Sequence, residues 1–434
     1  MHNLSIVILA AGKGSRMKSP IAKVLHNLCG RPMLYYSIKA AKEISDDIIV
    51  VVAHQKEEVI SRINELFQEI TFVVQDAETF PGTGGAMMGI KPKYDNILVL
   101  NGDMPLVTPE SLQGFVGRDA DITMSVLDLE DPSGYGRVVI SDLGVERIIE
   151  EKDASDEEKL IKHVNAGVYS FKRSVLEEHL PRLSNNNAQA EYYLTDIIWM
   201  AKEGGLRIEP LFVKEEQFKG VNSKSDLSAS EVIMQNRIKE HWMREGVVMQ
   251  LPETIYIDEA VEFKGECIVE NGVRITGKCM IENSHIKAHS IVEESVMINS
   301  DAGPLSHIRP QTHMQNTHIG NFVEVKKSTL KGVKAGHLSY IGDAEINEGT
   351  NMGAGVITCN YDGKKKHKTV IGKNVFIGSD TQIVAPCTID DDVMIAAGTT
   401  VTAKHIESGV LVLSRTPVKY IKNFFYNFFN LEKK

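Results

Sequence analysis

Positively charged side chains lie within and just after a glycine-rich turn near the start of the chain. The apolar run Leu4–Ala10 ends in the sequence AGKGSRM, which carries Lys13 and Arg16, and Lys23 follows shortly after. Open α/β sheets bind ligands at turns of this kind, because the backbone N–H groups can approach phosphates closely. The turn matches neither G-x-G-x-x-G nor the Walker pattern. A plain strand–turn–helix junction therefore remains an alternative to a phosphate site.

A carboxylate follows a second apolar run. Residues 97–100 predict a buried strand, and Asn101, Gly102 and Asp103 come directly after it. Asp103 could accept N–H bonds within the turn. It could also ligate a hard divalent cation, for which carboxylate oxygen is suited.

The elements that would position these side chains alternate between strands and helices. Residues 48–53 and 71–74 predict strands, residues 57–67 predict a helix, and Gly82-Thr83-Gly84-Gly85 opens another helix. Such alternation indicates a doubly wound, mostly parallel sheet of the Rossmann-like kind. Its chemistry would lie at the carboxyl ends of the strands.

The second half of the chain has a sixfold period that fits neither a helix nor a simple strand. Large residues recur at every sixth position: Ile371, Ile377, Ile383, Ile389, Ile395 and Val401. A smaller series lies four residues after each of the first five: Val375, Thr381, Cys387, Val393 and Thr399. Three six-residue faces per coil predict a parallel β-helix of hexapeptide repeats.

The period recurs earlier, from Ile257 to Ile281, with Cys267 and Cys279 among the small positions. It returns at Ile319 and Val325, with Val323 and Thr329 as the small residues. It is disturbed over residues 287–310 and 358–370. We expect loops to leave the coil at both places, and such loops commonly carry function.

The composition is that of an ordinary globular protein. The 434 residues are 42% hydrophobic and 24% charged, with a net charge of −10. This charge argues against nucleic acid as a partner. No apolar run is long enough to span a bilayer, so stable membrane insertion is not expected. Five cysteines, three of them at small positions of the repeat, predict reduced structural thiols and a cytoplasmic protein.

Three segments are predicted. Residues 1–222 form the α/β domain, residues 223–245 a linker helix with Ser228 and Glu231 as a capping box, and residues 246–434 the β-helix with a tail. The tail carries Phe424, Phe425, Phe428 and Phe429. An amphipathic helix that covers the open end of the β-helix is favoured, with a peripheral membrane contact as the alternative.

An ordered set of motifs resembles a known family. The first half resembles the sugar-1-phosphate nucleotidylyltransferases, and the whole chain resembles the bacterial bifunctional N-acetylglucosamine-1-phosphate uridylyltransferases/glucosamine-1-phosphate acetyltransferases. The motifs are residues 9–17 (LAAGKGSRM), 23–26 (KVLH), 82–84 (GTG), 102–103 (GD), 134–137 (GYGR), 185–188 (NNNA), 191–193 (EYY), 220–222 (GVN) and 334–340 (KAGHLSY). The family's left-handed form of the β-helix is expected here.

The resemblance implies roles in the first half. Arg16 and Lys23 would be catalytic groups that hold the triphosphate of UTP, and Asp103 and Asn222 would ligate Mg²⁺. Further residues would line the nucleotide: Leu9, Ala10, Ala11, Gly12, Gln75, Gly82, Thr83, Asn101 and Gly102. Gly136, Glu150 and Asn165 would face the sugar. Departures from the family pattern at Gly85, Asn101 and Ala166 leave the shape of these pockets open.

For the β-helix, the resemblance implies a homotrimer with acetyl-CoA between chains. His337 would be the general base, because a neutral imidazole can take the proton of the glucosamine-1-phosphate amine. Arg309 and Lys326 would clamp the sugar phosphate, and Tyr340 and Asn351 would hold its hydroxyls. The implied acetyl-CoA residues are Ala354, Asn360, Tyr361, Ser379, Ala397 and Arg415.

The implied enzyme acetylates glucosamine-1-phosphate and then transfers UMP from UTP to N-acetylglucosamine-1-phosphate, giving UDP-N-acetylglucosamine for cell-envelope precursors. Two other classes share the domain order. One is a single-activity nucleotidylyltransferase whose β-helix only oligomerises or regulates; the arguments against it are His337, Arg309, Lys326 and Tyr340. The other is a non-enzymatic subunit like those of the eukaryotic translation exchange factor; the arguments against it are Arg16, Lys23, Asp103 and Asn222.

Overall fold

The computed structural model of the chain describes residues 2–187, 189–415 and 417–433. Ala188, the last residue of the 185–188 motif, and Lys434 of the tail lie outside them. The chain divides into two compact units, Met1–Met234 and Gln235–Lys434. Among the described residues, no helix is both long and apolar enough to cross a membrane.

The first unit is built on one large sheet with helices packed against it. Its strands are β1 (Leu4–Ala10), β2 (Asn27–Leu28), β3 (Arg31–Pro32), β4 (Asp47–Val52), β5 (Thr71–Val74), β6 (Asn96–Asn101), β7 (Ile122–Asp128), β8 (Arg137–Ser141), β9 (Gly144–Ile149), β10 (His163–Lys172) and β11 (Ile208–Phe212). Its helices are α1 (Met33–Ile44), α2 (Lys56–Asn64), α3 (Gly82–Ala86), α4 (Pro109–Gln113), α5 (Arg173–His179), α6 (Asp196–Glu203) and α7 (Glu215–Phe218), and α8 (Lys224–Arg244) follows them.

The sheet has the order β11-β7-β10-β6-β1-β4-β5. β1 pairs in parallel with both β4 and β6, while β10 runs antiparallel to β6 and β7. The central strands are continuous runs of apolar residues because helices cover both faces. The predicted doubly wound, mostly parallel sheet is confirmed, and β1 and β6 end side by side at its centre.

The second unit is a left-handed parallel β-helix with three faces. Face 1 contains β12 (Val248–Met249), β15 (Ile268–Val269), β18 (His285–Ile286), β21 (Asp301–Ala302), β24 (His318–Asn321), β27 (Lys334–His337), β30 (Asn351–Met352), β33 (Phe376–Ile377), β36 (Met394–Ile395) and β39 (Leu411–Val412). Face 2 contains β13 (Tyr256–Ile257), β16 (Arg274–Thr276), β19 (Ile291–Glu293), β22 (His307–Ile308), β25 (Glu324–Lys326), β28 (Tyr340–Gly342), β31 (Ile357–Cys359), β34 (Gln382–Val384) and β37 (Thr400–Val401).

Face 3 contains β14 (Glu262–Lys264), β17 (Met280–Glu282), β20 (Val296–Ile298), β23 (His313–Gln315), β26 (Thr329–Lys331), β29 (Ala344–Ile346), β32 (Thr369–Ile371), β35 (Cys387–Ile389) and β38 (His405–Ile406). The residues of the sixfold period stack inside as one continuous core. Burial raises the pKa of the Cys279 and Cys387 thiols to about 11, so neither is a reactive thiolate near neutral pH.

The loop predicted over residues 287–310 is wrong, because regular coils occupy this stretch. Here the coils are shorter: Ile281 stacks on Met297, sixteen residues on, whereas Ile371 stacks on Ile389, eighteen on. Some corners are shortened by one residue, and Asn283, Glu294 and Asn299 adopt left-handed φ at such corners. The same shortening moves a small interior position from the predicted Thr329 to Ser328, which is buried.

The second predicted loop is present. Ile346 stacks on Ile371, twenty-five residues on, so an insertion leaves the coil between β31 and β32. A single antiparallel bridge joins Tyr361 to Lys366 within it. We call residues 360–368 the inserted loop.

The linker helix begins earlier than the predicted capping box. α8 starts at Lys224, so Ser228 and Glu231 lie inside it. The reciprocal bonds that cap it come from Ser223 and Asp226: the Ser223 N–H donates to the Asp226 carboxylate (2.8 Å), and the Asp226 N–H donates to the Ser223 hydroxyl (3.2 Å).

The phenylalanine-rich tail forms only one short helix, α9 (Phe424–Phe428). Its rings contact one another, with Phe424 against Phe428 and Phe425 against Phe429. All four remain between 55 and 67% exposed. The cap that these rings were expected to form over the β-helix is therefore not made within the single chain.

Candidate active sites

The first candidate site lies where β1 and β6 end. The Gly102 N–H donates to the Leu9 carbonyl (2.9 Å), which joins the turn after β6 to the end of β1. Ala10 is buried beneath Gly102, whereas Ala11 and Gly12 stand at the surface of the glycine-rich turn. This edge holds the chemistry in open α/β sheets.

Gly14 determines how closely the glycine-rich turn approaches Lys23. Its φ is +62°, and a Cβ there would lie 2.5 Å from the Lys23 Cβ. A side chain at position 14 would push Lys23 away from the turn. Glycine is therefore required here both for its backbone conformation and for the space it leaves.

Four predicted residues from separate segments meet beside this turn. The Lys23 ammonium lies 2.5 Å from Asp103 Oδ2 and 2.8 Å from Asn222 Oδ1. The Arg16 guanidinium also donates to Asn222 Oδ1 (2.8 Å). The sequence positions span more than 200 residues, and the tertiary structure brings them into one cluster, which we call the charged cluster.

Two backbone contacts hold Asn222 in the charged cluster. The Val221 N–H donates to the Asp103 carbonyl (2.9 Å), and the Asn222 N–H donates to the Asp226 carboxylate (3.0 Å). Gly220 packs against Asp103, since a Cβ there would lie 3.2 Å from Oδ1. The start of α8 thus presents Asn222 to the sheet edge.

The donor atoms of the charged cluster fit a magnesium ion that is shared with a nucleotide. Asp103 Oδ2 and Asn222 Oδ1 already converge on one positive charge, the Lys23 ammonium. Mg²⁺ keeps several waters and takes further oxygens from substrate phosphates, so one carboxylate and one amide suffice. Over the described ranges, no group of three or more His, Cys, Asp or Glu side chains could hold a metal without such help.

A cavity of about 350 Å³ opens at the same edge of the sheet. Five of the predicted substrate residues line it: Leu9, Thr83, Asn101, Glu150 and Asn165. Tyr169, Tyr193 and Thr195 also line it, and the sequence analysis did not single them out as site residues. Tyr193 belongs to the 191–193 motif and Thr195 follows it closely, which could have indicated both, whereas Tyr169 in β10 carried no such signal.

Polar groups at the far end of the cavity are held by one another. The Asn165 amide donates to the Tyr169 hydroxyl (2.6 Å), and its oxygen accepts from the Gly167 N–H (2.9 Å). A bulge in β10 between Asn165 and Tyr169 makes this turn possible. The Asn101 amide points at the Gly167 carbonyl (3.5 Å). Asn101 is one of the departures from the family pattern, and it therefore lies in the cavity wall.

Glu150 is a carboxylate of this cavity whose pKa is raised, whereas a hydrogen bond from Arg137 lowers the pKa of its neighbour Glu151. Burial raises the pKa of Glu150, although a hydrogen bond from the Thr195 hydroxyl (3.4 Å) lowers it in part. Gly136 leaves space beside it, because a Cβ there would lie 3.5 Å from the carboxylate. A half-buried acceptor of this kind suits sugar hydroxyl groups.

The segment around α3 forms another wall of this cavity. The Gln75 amide donates to the carbonyls of Phe80 (2.9 Å) and Gly82 (3.0 Å), which leaves its side-chain oxygen facing outward as an acceptor. At Gly85, a Cβ would lie 2.0 Å from the Phe80 carbonyl. The glycine that departs from the family pattern is thus required by the close backbone contact in this chain.

The second candidate site lies along one edge of face 1. The His337 carbonyl accepts from the Gly355 N–H, the Ala354 carbonyl from the Asp380 N–H, and the Ser379 carbonyl from the Gly398 N–H. His337, Ala354, Ser379 and Ala397 therefore follow one another on successive coils. Small residues on the three coils beyond His337 leave an open strip that a long thin ligand could follow.

The His337 imidazole is exposed, and within the part of the chain that the structure describes it has no hydrogen-bonding partner. It stands at the corner between β27 and β28, where Leu338 adopts a left-handed φ of 51°. Tyr340 begins the next face. This corner keeps the full six-residue spacing, from Ala335 to Ile341.

Three cations gather at the carboxyl ends of the face 2 strands, where the Arg309 guanidinium also pairs with the Glu324 carboxylate (2.6 Å). Arg309 and Lys326 lie on adjacent coils, and Lys366 of the inserted loop folds back over them. The Lys366 ammonium, followed by the Arg309 guanidinium, lowers the pKa of Lys326. Lys366 was missed in the sequence, where the run Lys364–Lys366 suggests only an exposed loop tip.

The base of the inserted loop is tied to the same place. The Asn360 amide donates to Asp343 Oδ2 (2.5 Å) and to the Tyr340 hydroxyl (3.4 Å). Gly342 makes room for this contact, since a Cβ there would lie 2.5 Å from the Tyr340 hydroxyl. Tyr361 is exposed on the loop.

Two predicted residues are not joined to this group. Asn351 lies in β30, in the outward row of face 1 that also contains Lys334. Arg415 follows β39 and is exposed, without a hydrogen bond or ion pair to any residue that the structure describes. Among the residues that the structure describes, no side-chain hydrogen bond joins either residue to this group.

Comparisons with known proteins cover both units. The family model for the MobA-like NTP transferase domain matches residues 6–163. The model for the bacterial transferase hexapeptide (six repeats) matches residues 368–403.

Curated relatives named "Bifunctional protein GlmU" match the chain from end to end. The protein of Wolinella succinogenes is 63% identical over 99% of this chain and all of its own length. That of Nitratiruptor sp. is 60% identical over 98% of this chain and 99% of its own. That of Aliarcobacter butzleri is 57% identical over the whole of both chains.

Proposed function

Because the chain belongs to the family of bifunctional GlmU proteins, we propose that it carries out two transfers at separate sites. The β-helix acetylates glucosamine-1-phosphate with acetyl-CoA, and the α/β unit then transfers UMP from UTP to the N-acetylglucosamine-1-phosphate that results. The products are UDP-N-acetylglucosamine and pyrophosphate, the nucleotide sugar being a precursor of the cell envelope.

For uridylyl transfer, the sugar sits in the cavity lined by Glu150 and Asn165, with its phosphate toward the charged cluster. A phosphate oxygen attacks the α-phosphorus of UTP in line, and pyrophosphate leaves. This reaction needs positioning and charge neutralisation rather than a covalent protein intermediate. Arg16 and Lys23 bind the phosphates and stabilise the charge that develops on them.

Asp103 and Asn222 would hold Mg²⁺ in this site. When bound, the ion would neutralise the oxygens of the triphosphate as the pyrophosphate leaves. Gln75 presents an acceptor to the uracil N–H, while the turn from Ala10 to Gly12 lies open to the nucleotide.

For acetyl transfer, His337 takes a proton from the amine of glucosamine-1-phosphate. The nitrogen then bonds to the thioester carbon, the C–S bond breaks, and the thiolate leaves as CoA after taking up a proton. Arg309, Lys326 and Lys366 bind the phosphate of the acceptor. Tyr340, to which the Asn360 amide donates, and Asn351 hold the hydroxyls of the sugar.

The observation that carries the second activity is the group of three cations on face 2, the face that follows His337. Glu324 already pairs with Arg309 (2.6 Å), but Lys326 and Lys366 remain close like charges, which an anion would stabilise and which a β-helix that only oligomerises does not need. Charge-assisted bonds to a phosphate would stabilise all three. This favours two activities over a nucleotidylyltransferase with a structural β-helix.

We further propose a homotrimer in the cytoplasm. The strip beside His337 is open on one side, and Arg415 is exposed, without a hydrogen bond or ion pair among the described residues. A neighbouring chain would supply such a residue and enclose acetyl-CoA. Buried, uncharged thiols inside the β-helix are consistent with a reducing compartment.

The test measures both transfers in one protein. Purified chain with glucosamine-1-phosphate, acetyl-CoA, UTP and Mg²⁺ should release both CoA and pyrophosphate. His337→Ala should lower CoA release by about 10² to 10⁴. The same variant, given N-acetylglucosamine-1-phosphate directly, should release pyrophosphate at the wild-type rate.

Asp103→Asn supplies the reciprocal variant. It should abolish pyrophosphate release, because the carboxylate that would hold Mg²⁺ is lost, and it should leave CoA release unchanged. A wild-type protein that releases only pyrophosphate would reduce the assignment to a single nucleotidylyltransferase. Full pyrophosphate release by Asp103→Asn would remove the metal assignment.

A further inference from the structure

Lys23 occupies the position between the two proposed metal ligands. Its ammonium lies 2.5 Å from Asp103 Oδ2 and 2.8 Å from Asn222 Oδ1. The side chains of Lys23 and Asp103 are only 11 and 19% exposed, so solvent screens this ion pair weakly. The lysine is therefore held at the site rather than free to move in solvent.

A divalent cation would need the same two oxygens. Mg²⁺ binds oxygen at about 2.0–2.1 Å. An ion at that distance from the two oxygens would lie almost where the Lys23 ammonium lies now. An ammonium and a divalent ion at that separation repel each other strongly. Since Arg16 also donates to Asn222 Oδ1 (2.8 Å), two cationic side chains must give up bonds before a metal can bind.

The phosphate oxygens of a bound nucleotide would draw Lys23 and Arg16 away from Asp103 and Asn222. Its triphosphate brings several negative oxygens to the glycine-rich turn, and both Lys23 and Arg16 can donate to them instead. The same phosphates provide the remaining ligands of the ion. Metal and nucleotide therefore assist each other's binding through the position of Lys23.

We propose that Lys23 is an internal competitor that keeps divalent metal out of the nucleotide-free enzyme, so that the metal binds together with the nucleotide. This rests on the proposed uridylyl transfer and adds the order in which the site is assembled. Lys23 thus has two positions, on Asp103 and Asn222 before the nucleotide arrives and on the phosphates afterwards.

The test titrates the full-length protein with Mn²⁺, without nucleotide and at low ionic strength, and follows free Mn²⁺ by electron paramagnetic resonance. Lys23→Gln should bind Mn²⁺ about tenfold more tightly than wild type or better, because the charged hydrogen bonds that compete are gone. Lys23→Arg, which keeps the charge, should bind as weakly as wild type.

The matched control is Lys172→Gln. Lys172 also forms a partly buried pair, with Asp121 (3.0 Å), but at the opposite edge of the sheet. The Lys172→Gln variant removes one positive charge, as Lys23→Gln does, and it should leave Mn²⁺ affinity at the wild-type value. Adding Asp103→Asn to Lys23→Gln should abolish the gain, and a gain that persists would overturn the proposal.

A second titration includes an α,β-methylene analogue of UTP. Wild type should then gain Mn²⁺ affinity and the advantage of Lys23→Gln should disappear. If Lys23→Gln without nucleotide binds Mn²⁺ no more tightly than wild type, the proposal is overturned. If the unfolding midpoint of Lys23→Gln shows that this variant is not folded, Lys23→Met is titrated instead. A wild type that releases pyrophosphate while these affinities stay equal would reject only this proposal, not the uridylyl transfer.

Discussion

Lys326 is a residue of the second site whose ionisation its cationic neighbours perturb. Lys366 and Arg309 lower its pKa because they disfavour another positive charge nearby. A bound phosphate would act in the opposite direction and raise the pKa of Lys326. The affinity for an anionic acceptor therefore depends on all three side chains together.

Lys366→Met should raise the pKa of Lys326 and raise the KM for glucosamine-1-phosphate about tenfold, since one charge-assisted contact is lost. The change in pKa can be followed by NMR of labelled lysine side chains. Lys368→Met is the control, because Lys368 lies in the same loop but pairs with Glu345 (2.7 Å). Equal KM values in the two variants would contradict a role for Lys366 in phosphate binding.

At the scale of elements, the β-helix depends on close stacking at the edge that carries His337. Gly320 and Gly336 follow one another on adjacent coils of face 1, and neither has a left-handed φ. They differ in the space around them. A Cβ on Gly320 would lie 2.0 Å from the Gly336 carbonyl, whereas a Cβ on Gly336 would meet nothing within 4 Å.

Gly320→Ala should therefore destabilise the β-helix by about 1–3 kcal/mol, the cost of forcing an extra carbon into a packed interior. Gly336→Ala should leave stability unchanged or slightly raised, because it only restricts the unfolded chain. Calorimetric unfolding of the two full-length variants measures the difference. Similar destabilisation in both would mean that the close contact relaxes without cost.

At the scale of the whole molecule, the two units each contain a complete hydrophobic core. The boundary falls between Met234 and Gln235, inside α8. The residues of the charged cluster and the cavity all precede this boundary. The proposed acetyl-transfer residues, from Arg309 to Arg415, all follow it.

A chain ending at Met234 should fold and release pyrophosphate from UTP and N-acetylglucosamine-1-phosphate at close to the full-length rate. It should release no CoA, and light scattering should find a monomer, in contrast to the trimer proposed for the full chain. The expected result follows because every side chain proposed to bind UTP lies before α8. An inactive but folded fragment would mean that the second unit completes the first site.

The sequence by itself determined the periodic and local features. The sixfold spacing predicted the β-helix because every coil must bury a side chain at the same place, and buried residues are apolar. The strand–helix alternation predicted the parallel sheet for the same reason. Corner lengths were not readable between residues 287 and 310, because a five-residue face keeps the same apolar residue types and changes only the backbone at the turn.

Only the tertiary structure decided which charged groups meet. Lys23, Asp103 and Asn222 come from segments that share no local pattern, and the pairing of β1 with β6 and the start of α8 bring them together. Lys366 became a site residue because the inserted loop folds back onto Lys326. Burial of apolar residues leaves a period in the sequence, whereas the approach of exposed charges depends on register and loop conformation, which leave none.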